Sequence, residues 1–208
     1  EDGEIATNRG EPSHAVYHAG TNLVVNGGNF TGNGNEVINA NSSAATINGG
    51  TFTKVGRATY LMGGSKMVIN GGTFNKGISL RNWSGGELNS NVYTIHGGKF
   101  VNLANAVQYL AEGAVISPAA DLEVSETITI PAGKNFTLDL AGKTVASESS
   151  ETGKNFNMFD VRGTMTVKSG TLTTEHVGTN MEWNNSTNVF NITAGGILNL
   201  VDVTAKNL

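Results

Sequence analysis

The stretch TINGGTF, residues 46–52, occurs with small changes at three other places in the chain. The related stretches are VVNGGNF at 24–30, VINGGTF at 68–74 and TIHGGKF at 94–100. The first glycines of the four pairs are Gly27, Gly49, Gly71 and Gly97. They follow one another at intervals of 22, 22 and 26 residues, and a fixed period of this length predicts an architecture of stacked repeats.

Each copy carries the same apolar pattern around its glycine pair. The aliphatic residues two positions before the first glycine are Val25, Ile47, Ile69 and Ile95. The aromatic residues three positions after it are Phe30, Phe52, Phe74 and Phe100. Apolar and polar residues alternate around them, which is typical of half-buried strands, and a glycine pair allows a sharp corner between two strands. A chain that turns and returns every 22 residues predicts a parallel β-helix, in which equivalent residues stack about 4.8 Å apart.

This repeat predicts three ladders of stacked side chains. Two are the aliphatic and the aromatic series, and the third is an amide ladder of Asn26, Asn48 and Asn70, with His96 in the fourth copy. We expect all of these residues to be architectural.

The repeat continues less regularly in the second half of the chain, where Gly142 and Ser169 take the position of the first glycine. Leu140 lies two residues before Gly142 and Val167 two residues before Ser169, so the repeat aligns Leu140 with Val167. The full prediction is an all-β solenoid of roughly eight to nine coils with about 22 residues per coil.

One segment departs from the strand pattern. In NLANAVQYLAEG, residues 102–113, apolar residues recur at helical spacing, Asn102 is a suitable N-cap, and Gly113 is a suitable end. We therefore predict one short α-helix near 102–112. It divides the chain into β-helix coils with NGGTF repeats over 1–101 and a helix followed by further coils over 102–208. A single continuous solenoid with a helical insertion is the alternative.

The composition limits the possible partners. The 208 residues are 38% hydrophobic and 14% charged, with 28 glycines, no cysteine and a net charge of −4. A weakly acidic chain is not expected to bind nucleic acid, and no apolar run reaches the length of a membrane span. The chain opens within the repeat pattern and without a starting methionine, so we expect it to be a section of a longer protein.

Several stretches also resemble a known family. LEVSETITIPAGKNFTLDLAGKTV at 122–145, FDVRGTMTVKSGTL at 159–172 and GGILNLVDVTA at 195–205 resemble the right-handed parallel β-helix regions, with the pectate-lyase-like fold, of large secreted or surface proteins of gut bacteria. The resemblance implies a right-handed helix and an extracellular or cell-surface location in a bacterium. It implies no catalytic residue, because the lyase and hydrolase motifs of this fold are absent from the sequence.

The sequence contains no recognisable catalytic or metal-binding pattern. Polysaccharide hydrolases need a pair of carboxylates, and lyases of the pectate class need an acidic cluster that binds calcium. The five aspartates, Asp2, Asp121, Asp139, Asp160 and Asp202, are scattered singly. Asp160 and Arg162 flank Val161, so we expect a surface ion pair. His14 and His18 are four residues apart without an evident third ligand, and we predict no metal and no cofactor.

The two tryptophans are the best candidates for ligand contacts. Trp83 and Trp183 occur in the longer repeats, where they are accompanied by amide and charged residues. An aromatic ring beside amides can stack on a sugar ring and bond its hydroxyl groups. The predicted ligand-binding residues are Arg81, Asn82, Trp83, Glu182, Trp183 and Asn184.

The sequence therefore favours a non-catalytic extracellular β-helix section that acts as a stalk or adhesin, with weak binding of a polysaccharide or host glycan. The ends of such a section are expected to contact further coils or neighbouring domains of the full-length protein. The alternative is a polysaccharide lyase or glycoside hydrolase of the β-helix class, or a fragment of one.

Overall fold

A computed structural model describes residues 4–6, 14–32, 36–54, 57–80, 92–149, 155–177 and 186–208. These residues are mostly β-strand with one short helix, so the predicted all-β class is confirmed. The described strand pairs are parallel, and the chain divides into two compact units, Glu1–Ala111 and Glu112–Leu208. This division falls ten residues after the boundary that the sequence suggested.

The strands of the first unit form three rows, which the chain visits in turn. The elements are β1 (Glu4–Ala6), β2 (Val16–His18), β3 (Asn22–Val25), β4 (Asn29–Gly32), β5 (Glu36–Asn41), β6 (Ala44–Ile47), β7 (Thr51–Lys54), β8 (Arg57–Met62), β9 (Lys66–Ile69), β10 (Thr73–Phe74), β11 (Gly77–Leu80), β12 (Val92–Phe100) and the helix α1 (Leu103–Val107). The rows are β3-β6-β9-β12, β1-β4-β7-β10-β12 and β2-β5-β8-β11.

The pairing register of the first unit reproduces the sequence period. Phe30 pairs with Phe52 and Phe52 with Phe74, each 22 residues on, and Phe74 pairs with Phe100 across the 26-residue interval. The four rings stack with centroids 5.1, 4.9 and 5.1 Å apart and interplanar angles of 12° or less. The predicted aromatic ladder is confirmed, and its members are all buried.

The aliphatic and amide ladders are confirmed as well. Val25, Ile47, Ile69 and Ile95 pair in succession and are buried. At the surface, the Nδ2 of Asn48 donates to the Oδ1 of Asn26 at 2.9 Å, and the Nδ2 of Asn70 donates to the Oδ1 of Asn48 at 2.8 Å. His96, which follows this series, is exposed.

The two glycines of the second and third pairs have different roles, which the sequence did not separate. The second glycine takes the positive φ of the corner, as in Gly50 at 105° and Gly72 at 104°. The first glycine permits close stacking, because a Cβ on Gly71 would lie 2.6 Å from the backbone oxygen of Asn48. A side chain is therefore excluded at both positions, by backbone conformation at one and by the adjacent repeat at the other.

The helix is shorter than predicted. Asn102 is its N-cap, as expected, and the Oδ1 of Asn102 accepts from the backbone N–H of Asn105 at 2.8 Å. The helix ends at Val107, however, and the chain re-enters a strand at Leu110. The prediction of a helix near 102–112 that Gly113 ends is wrong, because LAEG at 110–113 forms the start of that strand, where Leu110 and Ala114 are buried.

The second unit is built in the same way from three rows of strands. Its elements are β13 (Leu110–Pro118), β14 (Leu122–Glu123), β15 (Ile128–Ile130), β16 (Asn135–Asp139), β17 (Thr144–Ser149), β18 (Phe156–Val161), β19 (Thr164–His176), β20 (Thr187–Ile192) and β21 (Ile197–Asn207). The rows are β13-β16-β19-β21, β14-β17-β19-β21 and β15-β18-β20.

The register of the second unit corrects one alignment made from the sequence. Val167 pairs with Leu138 rather than with Leu140, and Leu200 continues this series. Leu140 lies at the corner between β16 and β17, next to Ala141, whose φ is +50°. This corner is two residues longer than the corner that follows it at Ser169. An alignment that assumes corners of equal length therefore places Leu140, instead of Leu138, beside Val167.

Candidate functional site

The residues predicted to bind a ligand lie outside the part of the chain that the structure describes. They are Arg81, Asn82, Trp83, Glu182, Trp183 and Asn184. Their role as a glycan site therefore stays a prediction. Among the described residues, polar and aromatic groups gather instead on one face of the row β2-β5-β8.

Strand β5 is unusual because five consecutive residues, from Glu36 to Ala40, are buried. A strand with one solvated face shows alternating burial. One face of β5 belongs to the core, where Ile38 pairs with Thr59, and the hydroxyl of Thr59 lies 2.8 Å from that of Tyr93. The other face carries Asn39, which pairs with Tyr17 on one side and Tyr60 on the other.

A buried carboxylate organises the edge of this second face. Glu36 is 3% exposed, and its Oε1 accepts from the Nη1 of Arg57 at 3.0 Å. Its Oε2 lies 3.1 Å from the Nδ1 of His14, which is an ion-pair distance without hydrogen-bond alignment. The guanidinium of Arg57 also lies over the ring of Tyr60, 5.5 Å from its centroid. The arginine therefore compensates the buried charge, as a buried carboxylate requires.

Asn39 connects this carboxylate group to an exposed aromatic ring. Its Nδ2 lies 3.3 Å from the Nε2 of His14, whereas its Oδ1 is buried and has no hydrogen-bond partner. The neighbouring Tyr17 is 58% exposed, and its hydroxyl accepts from the Nδ2 of Asn41 at 3.2 Å. The rings of Tyr17 and His14 stack with centroids 6.1 Å apart.

We call His14, Tyr17, Glu36, Asn39 and Arg57 the tyrosine–amide face. It combines the exposed ring of Tyr17 with polar groups at the ring edge, namely the Tyr17 hydroxyl and the amide of Asn41 that donates to it. Such pairs suit ligands that have an apolar ring face and hydroxyl groups at the ring edge. Nucleophilic or acid–base chemistry is not expected from Glu36, because one of its oxygens accepts from Arg57 and the other lies 3.1 Å from the Nδ1 of His14.

A second buried carboxylate lies in the other unit. Asp160 is 7% exposed, and one of its oxygens accepts from Nε and Nη2 of Arg162 at 2.8 and 2.6 Å. The other oxygen accepts from the Nδ2 of Asn191 at 3.0 Å. The predicted pairing of Asp160 with Arg162 is confirmed, but the carboxylate is buried, which the sequence did not indicate. These three hydrogen bonds link Asp160 on β18 to Arg162 and to Asn191 on β20. They stabilise the contact between the two strands and do not activate the carboxylate for catalysis.

The remaining ionisable groups are dispersed. Asp139 pairs with Lys168 at 3.1 Å, and the ring of His18 bonds to the backbone oxygen of Ala44 rather than to His14. Burial raises the pKa of Tyr109 above its ordinary value. Within the described ranges, no three His, Asp or Glu side chains are grouped so that they could hold a metal ion, and no helix is long and apolar enough to cross a membrane.

The tyrosine–amide face was not found from the sequence, although a signal for it exists. Asn39 follows Tyr17 by 22 residues, and Arg57 follows Glu36 by 21, so each pair is about one repeat apart. In stacked repeats, residues one period apart become neighbours. Applying the glycine period to the polar residues, and not only to the apolar ones, would have predicted both contacts.

Comparisons with known proteins add no family or function to this picture. No protein-family model, curated protein or solved structure gives a significant match to the chain.

Proposed function

We propose that each unit is a section of a right-handed parallel β-helix and that the eight to nine coils of the chain belong to a large secreted or surface protein of a bacterium. The observation that carries this proposal is the parallel pairing of residues one period apart in three rows that the chain visits in turn. The pattern is what a chain wound into coils would produce.

The expected stiffness of such a section suits the function of a stalk or adhesin. Each coil is hydrogen-bonded to its neighbours along three rows, and the stacked Phe and Ile side chains occupy the interior. Deforming one coil would break hydrogen bonds and core contacts together, so the section is expected to be stiff. A stiff body with few ionisable groups in its described corners suits the presentation of a binding surface better than catalysis.

The ligand we propose is a polysaccharide or host glycan. The tyrosine–amide face supports this choice, since Tyr17 offers an exposed ring whose hydroxyl bonds to the amide of Asn41. Trp83 and Trp183 are further candidates from the sequence. Binding to a single exposed ring is expected to be weak, and the repetition of such groups along a surface protein would increase its avidity.

The alternative, a polysaccharide lyase or glycoside hydrolase, requires accessible carboxylates. Glu36 and Asp160 are the buried carboxylates of the described structure, and each is already paired with an arginine. These pairings leave neither of the two buried carboxylates free to act on a substrate.

A glycan array of plant, mucin and microbial polysaccharides tests the proposed ligand. We expect saturable binding that Tyr17→Ala, Trp83→Ala or Trp183→Ala weakens at least about tenfold, which corresponds to roughly 1.4 kcal/mol. Val24→Ala, which alters an exposed aliphatic side chain, is the matched control. Absence of binding to every glycan would contradict the adhesive function. Release of reducing or unsaturated sugars from any of these polysaccharides would favour the enzyme instead.

A further inference from the structure

The corners of the first unit place side by side two residues that the fold selects for separate reasons. Asparagine supports the amide ladder, and the glycine after it allows the adjacent repeat to approach closely. Together they form an Asn–Gly step, in which the backbone nitrogen after the asparagine has no side chain beside it to hinder its attack on the carboxamide. The ladder contains this step at Asn26, Asn48 and Asn70.

The step from Asn70 to Gly71 is exposed and weakly restrained. The side chain of Asn70 faces water, and no group among the described residues accepts a hydrogen bond from the backbone N–H of Gly71. The next repeat has His96 at the ladder position, and within the described ranges no side chain donates to the Oδ1 of Asn70. One hydrogen bond therefore holds this carboxamide, from its Nδ2 to the Oδ1 of Asn48 at 2.8 Å.

Asn48 has the same local sequence and a more restrained side chain. Residues 47–52 and 69–74 both read INGGTF, and their second glycines have φ angles of 105° and 104°. The carboxamide of Asn48, however, donates to Asn26 and also accepts from Asn70. Attack by the glycine nitrogen requires the carboxamide to turn its carbon toward that nitrogen. Each hydrogen bond that must break first slows this turn.

We propose that Asn70 is a site at which the folded chain modifies itself by deamidation, through attack of the backbone nitrogen of Gly71 on the Cγ of Asn70. The new N–Cγ bond closes a succinimide ring. The Cγ–Nδ2 bond breaks, and the amide nitrogen leaves as ammonia together with the proton from the N–H of Gly71. Water then adds to one ring carbonyl and opens the ring, which leaves aspartate or isoaspartate at position 70.

The modification changes the ladder and its charge. An ionised carboxylate has no donor, so the hydrogen bond from position 70 to the Oδ1 of Asn48 is lost, and the exposed corner gains one negative charge. The carboxamide of Asn48 then keeps its bond to Asn26 and loses its other restraint. Conversion at Asn70 should therefore come first and accelerate the conversion at Asn48.

Peptide mapping by mass spectrometry measures the initial rate of conversion at each position. The full chain is kept in mildly alkaline buffer, which favours the reaction, and samples are digested under mildly acidic conditions, which stop it. In the folded chain Asn70 should convert about fivefold faster than Asn48, because one hydrogen bond fewer must break. In urea the two rates should be equal, because the neighbouring residues are identical. Absence of conversion at Asn70, or equal rates at the two positions in the folded chain, would overturn the proposal.

The variant Asn70→His tests the effect of the ladder on a step whose own sequence is unchanged. Histidine already occupies this ladder position in the next repeat, as His96. The variant removes the donor to Asn48, so Asn48 should convert about fivefold faster than in the wild-type chain. The matched control is Asn22→His, which changes an exposed asparagine on β3 outside the ladder and should leave the rate at Asn48 unaltered. Circular dichroism confirms that both variants are folded. An unaltered rate at Asn48 in Asn70→His would contradict the proposal.

Discussion

Replacing Phe52 by alanine tests the aromatic ladder at its most enclosed position. Phe52 is 0% exposed and has a stacked ring on each side, Phe30 at 5.1 Å and Phe74 at 4.9 Å. Truncating a buried phenylalanine to alanine costs about 3–5 kcal/mol, and the two stacked pairs, each contributing about 0.5–1.5 kcal/mol, place Phe52 in the upper part of that range. The closely packed repeats above and below cannot collapse easily into the cavity. We therefore expect Phe52→Ala to lower the free energy of unfolding of the first unit by about 4–5 kcal/mol.

Two further variants make this expectation quantitative. Phe30→Ala removes a ring that is 8% exposed and has one described ring neighbour, so its cost should be lower, about 3 kcal/mol. Val24→Ala shortens a side chain that is 51% exposed, and its cost should not exceed about 0.5 kcal/mol.

Urea denaturation followed by far-UV circular dichroism gives the required comparison. At constant slope, a change in the midpoint reports a change in the free energy of unfolding. The expected order of destabilisation is Phe52→Ala, then Phe30→Ala, then Val24→Ala. If Phe52→Ala were no more costly than Val24→Ala, the stacked interior would be refuted.

Three other changes probe the surface ladder and the ionisable groups. Asn48→Asp removes the donor to Asn26 and should lower the free energy of unfolding at pH 7 by about 1 kcal/mol, as measured by urea denaturation. This loss should become smaller below about pH 4, where a protonated carboxyl can donate again. Asp160→Asn should lower the stability of the second unit by about 2 kcal/mol in thermal denaturation, because it weakens two bonds from Arg162; an unchanged melting temperature would contradict this. Burial raises the pKa of Tyr109 in the folded chain, so above about pH 10 the unfolded chain loses the phenol proton first. The free energy of unfolding should therefore fall as the pH rises. Tyr109→Phe should remove this contribution from the pH dependence of the denaturation midpoint.

The ladders were predictable because they depend on a single number, the period of 22 residues. Phe30 and Phe52 occur at that interval, and a parallel register places them side by side. The period alone aligned Leu140 with Val167, which is wrong, because the corner between β16 and β17 is two residues longer than the corner at Ser169. The length of a corner depends on local backbone conformation, here the positive φ of Ala141. Apolar periodicity does not reveal such a conformation, so the sequence pattern could not predict the longer corner.

The candidate site was harder to predict for a different reason. The contact between Glu36 and Arg57 follows the repeat, but the burial of Glu36 depends on what covers the outer face of β5. Hydrophobic alternation assumes that one face of a strand is solvated, and β5 does not meet that assumption. Similarly, the end of the helix at Val107 is decided by the burial of Leu110 in a strand, and helical spacing over such a short segment cannot anticipate this.

Residues one period apart lie side by side in the parallel strands of the first unit. Ala44 and Lys66 are exposed register partners 22 residues apart, and the chain has no cysteine, so a cysteine introduced at each position can carry a spin label. The control pair is Ala44 with Asn70, an exposed residue about 13 Å farther along the chain from Lys66. Continuous-wave electron paramagnetic resonance should show strong dipolar broadening for labels at Ala44 and Lys66 and much weaker broadening for the control pair. Equal broadening in the two pairs would contradict the stacked 22-residue repeat.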